Sequence, residues 1–207
     1  MVEQQFVELS VVGSSPIGHP IYMKQQKLQY CPICGGEASV KKDDKSLFLE
    51  CKGGHRFYIN PNPTVSAIIY SGEKILLTKR AVEPFIGKWD LINGYIELGE
   101  TPVEAIKREV AEEIKAKFLP ESIFAFNTSE YYLNDLQKNM NIYFYGQLDS
   151  IKKLNIDKKE ILQVKWFDFN KIPYNKVAFK HHIPVIKEFI EAQNRCAGCV
   201  YRESCNY

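Results

Sequence analysis

The sequence predicts an α/β fold in which a mixed sheet is packed by helices on both faces, preceded by a small cysteine-bearing module. Three observations predict it. From Thr64 onward, apolar segments of strand length and helix length mix without a strict βαβ repeat, which favours a mixed sheet over a parallel one. Helix signals mark one segment in the middle of that region and one at its end. Ahead of it, Cys31-Pro-Ile-Cys34 and Cys51 lie in a stretch too short to build a core of its own.

Residues 1–27 are expected to form an N-terminal extension, with strand character from Phe6 to Val12 and a loop from Gly13 to Pro20. Residues 28–60 form the cysteine module, with a polar hairpin-like stretch from Lys41 to Lys45. Pro61-Asn-Pro63 reads as a break and a boundary, because neither proline donates to a ladder and each restricts the residue before it. Val65 to Tyr70 and Lys74 to Thr78 read as paired strands around Ser71-Gly72, and Trp89 to Ile92 as a short apolar segment leading into a glycine loop. Thr101 to Lys115 reads as a helix. Thr101 suits the N-cap, Pro102 the first helical position, and Glu104 completes a capping box. Val103, Ile106, Val110 and Ile114 recur at spacings of three and four and make one apolar face. Ile123 to Asn127, Asn141 to Leu148 and Val164 to Phe167 read as strands, and His182 to Asn194 as a last helix with Pro184 in its first turn. The main domain then runs over 61–194, and 195–207 is a cysteine-rich tail.

Among 207 residues, 27 basic and 25 acidic side chains give a net charge of +2, so no global field draws the chain to nucleic acid or to a membrane. No apolar run reaches the roughly 20 residues that span a bilayer. Met1 to Ser10 carries Glu3 and Glu8 and lacks the basic start of a secretory signal. The expectation is a cytoplasmic protein with no membrane segment and no nucleic-acid partner, with a homodimer left open. In a reducing compartment, six cysteines favour metal ligation over disulfides.

The chemistry concentrates on the middle helix. Glu109, Glu112 and Glu113 stand at i, i+3 and i+4 and converge on one patch, where like charges repel. A hard divalent cation removes that repulsion, because Mg²⁺ prefers oxygen ligands. Arg108 can hold a neighbouring carboxylate, and Glu100 is its candidate partner. Taken alone, three glutamates read first as a solvated acidic face.

The spacing adds more. Gly94, Glu100, Arg108, Glu109, Val110, Glu112 and Glu113 fall in register with G-x5-E-x7-R-E-U-x-E-E-x-G-U, where U is bulky and aliphatic, so the segment resembles the Nudix box. Gly87-Lys-Trp89-Asp-Leu-Ile-Asn-Gly94 resembles the family's lead-in. There are departures: Lys115 replaces the late glycine, Ala116 the aliphatic residue after it, and Ile92 and Asn93 the lead-in proline and first glycine. Loss of the glycine predicts a longer or differently turned loop after the helix. The resemblance spans about residues 64 to 180 and implies a Nudix-type α/β/α sandwich that hydrolyses a nucleoside diphosphate linked to another group, such as ADP-ribose or a dinucleotide. It further implies Mg²⁺ (or Mn²⁺) held by Glu109, Glu112, Glu113 and the Gly94 carbonyl, with Arg108 and Glu100 orienting that set. Glu160, ahead of a segment ending in Trp166-Phe167, is the candidate general base, with Glu130 and Asp135 as weaker alternatives and a plain surface carboxylate as the bland one. Lys79-Arg80 is a candidate phosphate contact. Phe85, Trp89, Tyr95, Tyr131 and Tyr132 are candidate stacking surfaces for a base, although aromatic residues more often fill cores.

Cys31-x2-Cys34 with Cys51 has knuckle spacing for a structural Zn²⁺; Gly54 stands where the fourth ligand would fall, so the adjacent His55 is the first choice, and a metal-free hairpin with buried cysteines is the plain alternative. A zinc ribbon before such a domain resembles the arrangement of NADH pyrophosphatases. That subfamily's S-Q-P-W-P-F-P motif is absent from Pro120 to Asn127, so NADH specificity is not supported. Cys196, Cys199 and Cys205 are one ligand short of a second site, which His181, His182 or a ribbon cysteine would have to complete; a thiol-rich tail is the plain alternative. Two other functions stay open: nucleoside triphosphate pyrophosphohydrolysis, and a non-catalytic nucleotide-binding module whose ribbon docks a partner through Lys41, Lys42 and Lys45.

Overall fold

The computed structural model describes residues 30–43, 46–130, 138–150 and 154–198. The strand expected at Phe6–Val12 lies outside them, as do Tyr131, Tyr132, Asp135, Cys199 and Cys205.

The first unit is a three-stranded antiparallel ribbon of β1 (Ala38–Lys42), β2 (Leu47–Cys51) and β3 (Arg56–Tyr58), in that order. Only the central strand is buried, at Phe48, Leu49 and Cys51. Arg56 covers the Phe48 ring at 4.9 Å and also pairs with Glu50, which Lys41 contacts from the other side. So few buried side chains supply little hydrophobic stabilisation, and a ribbon of this size needs a further staple.

The second unit is a mixed sheet. Its path runs β10 (Ile161–Asp168), β5 (Lys74–Arg80), β4 (Asn62–Ser71), β9 (Lys138–Leu148) and β8 (Phe118–Glu130). β4 and β9 are parallel and the remaining pairs antiparallel. The β4–β5 hairpin is laddered only near its turn, at Tyr70–Ile75 and Ser71–Lys74. Beyond it, β6 (Trp89–Asp90) pairs with β5 and β7 (Ile92–Tyr95) pairs with β4. The splayed hairpin thus holds the segment leading into the middle helix between its arms.

The period-two pattern of the strands divides the core in two. Val65, Ala67 and Ile69 of β4, with Ile142 and Phe144 of β9, face α1 (Pro102–Ile114) and its buried Ala105, Ile106, Val110 and Ile114. Ile68, Ile75, Leu77 and Tyr143 face the other way, toward Val185, Ile186 and Phe189 of α2 (His182–Gly198). This is the expected three-layer α/β/α arrangement. α1 begins with the capping box read from sequence: Thr101 accepts from the Glu104 N–H, and the Glu104 carboxylate accepts from the Thr101 N–H at 2.8 Å.

Three expectations are corrected. Pro63 does not break the chain; it lies in β4, where its carbonyl accepts from the Ile96 N–H at 3.2 Å and no proline donor is needed. Val103 is exposed and Ala105 takes its place on the buried face. Lys115 does not change the turn after α1. It adopts the left-handed conformation itself, at φ 53° and ψ 39°, with its N–H on the Ala111 carbonyl and its ammonium on the Glu112 carbonyl at 2.8 Å. That interaction with a terminal carbonyl partly offsets the cost of a side chain in this region.

Candidate active site

Two anchors arrange the acidic patch around the middle helix. The first is Arg108. Its guanidinium forks onto Glu100, with Nε at 2.6 Å and Nη2 at 3.0 Å from the two oxygens. The same Nη2 donates to the Tyr95 carbonyl at 3.0 Å, and Nη1 donates to Glu109 at 2.8 Å and to Glu112 at 3.3 Å. One cation thereby ties the loop before α1, the end of β7 and two helix carboxylates together, as a planar five-donor group can. Glu100 is the partner expected from sequence.

The second anchor is the chain before β10. The last carbonyls of α1 have no intrahelical donors. Asp157 N–H donates to the Glu113 carbonyl at 2.8 Å and Asn155 N–H to that of Ile114 at 3.1 Å. At the far end of the same segment, the Glu160 carbonyl accepts from Ala81 N–H at 2.7 Å, next to the end of β5. Capping the helix therefore delivers Glu160 to the acidic patch.

The patch is divided. Glu112 faces outward, whereas Glu109 and Glu113 are buried. Burial, reinforced by Glu112 and Glu160 and opposed by Arg108, pushes the Glu109 carboxyl up to about 7. Burial also holds Glu113 well above the usual carboxyl range, with Glu109, Glu160 and Asp90 adding to it. Glu160 is raised by burial and by Asp157 and Glu112, while Lys115 and Arg80 pull it down. Glu113 Oε2 is buried with no hydrogen-bond partner among the described residues. An ordinary helix does not aim an acceptor into its interior and leave it unmatched. Gly94 lies directly against this group: a Cβ there would overlap the Glu109 carboxylate, so glycine is required for backbone and carboxylate to meet. The donors present are acceptor-only oxygens crowded in a buried patch, a set that suits a hard divalent cation.

Other candidates separate. Trp89 is 8% exposed; it packs edge-on against Phe167 at 4.8 Å and pairs with Lys79 in the ladder, so the stacking surface expected there is corrected to a core residue. Phe85 packs edge-on against Phe179, and Tyr95 is exposed beside the Arg108 contact. Arg80 is mostly buried, with Nε on the Pro84 carbonyl at 2.9 Å and Nη1 on Asp90 at 3.1 Å. His182 is buried and its Nδ1 lies 2.8 Å from Asp90; Cys199 and Cys205, the tail cysteines with which it would share a metal, lie outside the described residues. Asp90 and Asn93 are neighbours of the patch to which sequence patterns assign no role, and His182 enters from sequence only as a candidate metal ligand. Asp90 stands within the quoted lead-in, but its partners become visible only once the β5–β6 register and the start of α2 are known.

In the ribbon, Cys31, Cys34, Cys51 and His55 place one ligand atom each within 4.8 Å of one another. Cys34 and Cys51 Sγ are 3.8 Å apart, and His55 Nδ1 lies 3.8 Å from Cys31 Sγ and 3.6 Å from Cys51 Sγ. A tetrahedral Zn²⁺ with ordinary bond lengths has edges of about 3.8 Å between sulfurs and about 3.6 Å from sulfur to nitrogen. The four residues fit that ion.

A comparison with known families matches the NUDIX domain over residues 60–189. The chain belongs to the Nudix hydrolase family. It is similar to an ADP-ribose pyrophosphatase from Methanocaldococcus jannaschii, 31% identical over 140 residues, covering 68% of this chain and 79% of that protein. It is also similar to the NAD-capped RNA hydrolase NudC from Shigella boydii, 27% identical over 175 residues, covering 82% of this chain. The chain spans 64% of that relative's length, just under two thirds. Among solved structures, a Nudix hydrolase from Nitrosomonas europaea superposes with a TM-score of 0.68 at 27% identity, covering 81% of this chain and 93% of that one. A UDP-X diphosphatase superposes at 0.53 with 23% identity, over 66% of each chain, which supports the Nudix fold alone.

Proposed function

We propose that this Nudix protein hydrolyses the diphosphate bridge of a nucleoside diphosphate linked to a second group, with ADP-ribose as the substrate to test first. The observation that carries the proposal is the unmatched Glu113 oxygen, in a patch where burial first and neighbouring carboxylates second raise Glu109, Glu113 and Glu160. Such crowding is the mark of a site built for a ligand that the protein alone does not supply. The substrate class rests on the ADP-ribose pyrophosphatase and NudC relatives, both of which are named for substrates with a diphosphate bridge.

Glu109, Glu112, Glu113 and the Gly94 carbonyl would hold Mg²⁺ or Mn²⁺, and bound cations of this kind neutralise phosphate oxygens and acidify water. Arg108, fixed on Glu100, keeps Glu109 and Glu112 in place. Glu160 takes the proton of the attacking water as the new P–O bond forms and the bridging P–O bond breaks. Arg80 donates to a phosphate oxygen. From ADP-ribose the products are AMP and ribose 5-phosphate. The cation set lies in a domain spanning 61–194, behind a ribbon of 28–60 stapled by Zn²⁺ on Cys31, Cys34, Cys51 and His55. That zinc is structural, since four protein ligands leave no open position.

The test is a panel of ADP-ribose, NADH, NAD-capped RNA and nucleoside triphosphates with Mg²⁺, read by ³¹P NMR. The reading requires AMP from ADP-ribose, its loss in chelator, and a fall of orders of magnitude in Glu113→Gln. Pyrophosphate from a triphosphate would replace it with the pyrophosphohydrolase reading. Tight binding without turnover would replace it with a sensor.

A further inference from the structure

Behind the carboxylate patch lies a second charge network, of which the proposed reaction uses only Arg80. Asp90 is 1% exposed, yet four donors surround its carboxylate. Oδ1 accepts from the Leu91 N–H at 3.0 Å and lies 2.8 Å from His182 Nδ1. Oδ2 accepts from Arg80 Nη1 and from Asn93 Nδ2, both at 3.1 Å. A carboxylate only accepts, so His182 carries its hydrogen on Nδ1 in this contact. His182 is the first residue of α2, Asp90 lies on β6 and Arg80 ends β5. Three elements thus meet at a single carboxylate that is fully matched, in contrast to Glu113 nearby.

The consequence falls on Arg80. Its guanidinium is clamped by Asp90, by the Pro84 carbonyl and by the Phe179 ring 5.1 Å below it. Its charge acts on both Glu113 and Glu160. Among the described residues, its Nη2 group has no hydrogen-bond partner. A mostly buried arginine held at two of its nitrogens, with a charge that reaches Glu113 and Glu160, is prepared to receive an anionic oxygen at little cost in side-chain entropy.

We propose that Asp90 is a positioning residue, oriented by His182, that fixes Arg80 for contact with the diphosphate. The proposal rests on the reading of the carboxylate patch as the diphosphate site. Arg80 is the residue that touches substrate; Asp90 and His182 act through it. Asn93 contributes by holding the same Oδ2 from the β7 side.

The test uses the full chain with Asp90→Asn, His182→Phe and His182→Asn. Asn in place of Asp90 keeps the shape and removes the charge that anchors Arg80. Phe in place of His182 keeps bulk and removes the donor, whereas Asn restores a donor near the Nδ1 position. The first readout is the ¹⁵N relaxation of the Arg80 Nε–H in protein without metal or substrate. A rigid signal in the wild type and in His182→Asn, and an averaged one in Asp90→Asn and His182→Phe, is expected. The second is steady-state kinetics with ADP-ribose. KM should rise at least tenfold in Asp90→Asn while kcat changes less than threefold, and His182→Asn should stay within threefold of wild type on both. An Arg80 signal as rigid in Asp90→Asn as in wild type overturns the proposal, and so does an unchanged KM when Arg80 is released. If His182→Phe does not fold, Asp90→Asn decides alone. A wild type without ADP-ribose turnover would sink the functional reading, while the relaxation measurement would still decide whether Asp90 positions Arg80.

Discussion

Replacing Glu109 by Gln should make the metal-free protein more stable at pH 8 while destroying its activity. The wild-type carboxyl is buried and raised from an ordinary 4.5 to about 7. In the folded chain it therefore holds its proton to higher pH than in the unfolded chain. Its contribution to stability is intact below pH 4.5 and is lost as pH climbs through 7. At about 1.4 kcal/mol per pH unit, the loss amounts to about 3 kcal/mol. Gln keeps the volume and an acceptor for Arg108 but has no charge to desolvate, so its stability lacks this fall. For a chain of this size, the difference in melting temperature should grow by roughly 6–12 °C between pH 5 and pH 8. Calorimetry in chelator at both pH values measures it, and the other titrating groups cancel when the two proteins are subtracted. Adding Mg²⁺ should reverse the order, because only the wild type gains by binding. A wild-type-minus-variant difference equal at pH 5 and pH 8 would refute the account of Glu109 as a strained, ligand-expecting carboxylate.

Gly94→Ala would drive a methyl group into the Glu109 carboxylate; it should lower turnover about a hundredfold and cost about 1–3 kcal/mol, as measured by assay and denaturant melt. Lys115→Gly should relieve the left-handed backbone and, after loss of the contact with the Glu112 carbonyl, stabilise the fold by about 0.5–1 kcal/mol. Cys51→Ser should reduce bound zinc, measured by elemental analysis, from one per chain to none, and should expose the ribbon to proteolysis while the domain from Asn62 onward keeps its melting transition.

The sequence disclosed those parts whose physics is local. The α1 capping box needs only Thr101 and Glu104, and the Arg108–Glu100 pair needs only their spacing about one helix start; both stand where the spacing put them. The ribbon ligands Cys31, Cys34, Cys51 and His55 are near in sequence, and they gather as the knuckle spacing suggested. Residues whose role depends on distant pairing were harder. Trp89 looked available for a base because its partner Phe167 comes 78 positions later and the β5–β6 ladder is not written in any local pattern. Asp90 is the sharper case. A single aspartate in a lead-in motif gives no sign that a histidine 92 residues on will bond to it. Pro63 and Lys115 misled for a different reason: each carries a strong local preference that the surrounding structure overrides.

The central claim is that Glu109, Glu112 and Glu113 form a divalent-cation site on the Nudix helix. Titrating Mn²⁺ into wild type and Glu113→Gln, with the free ion followed by electron paramagnetic resonance, measures it without substrate. Binding by the wild type that weakens at least tenfold in the variant is the predicted result. Equal binding by the two proteins, or none by the wild type, would contradict it.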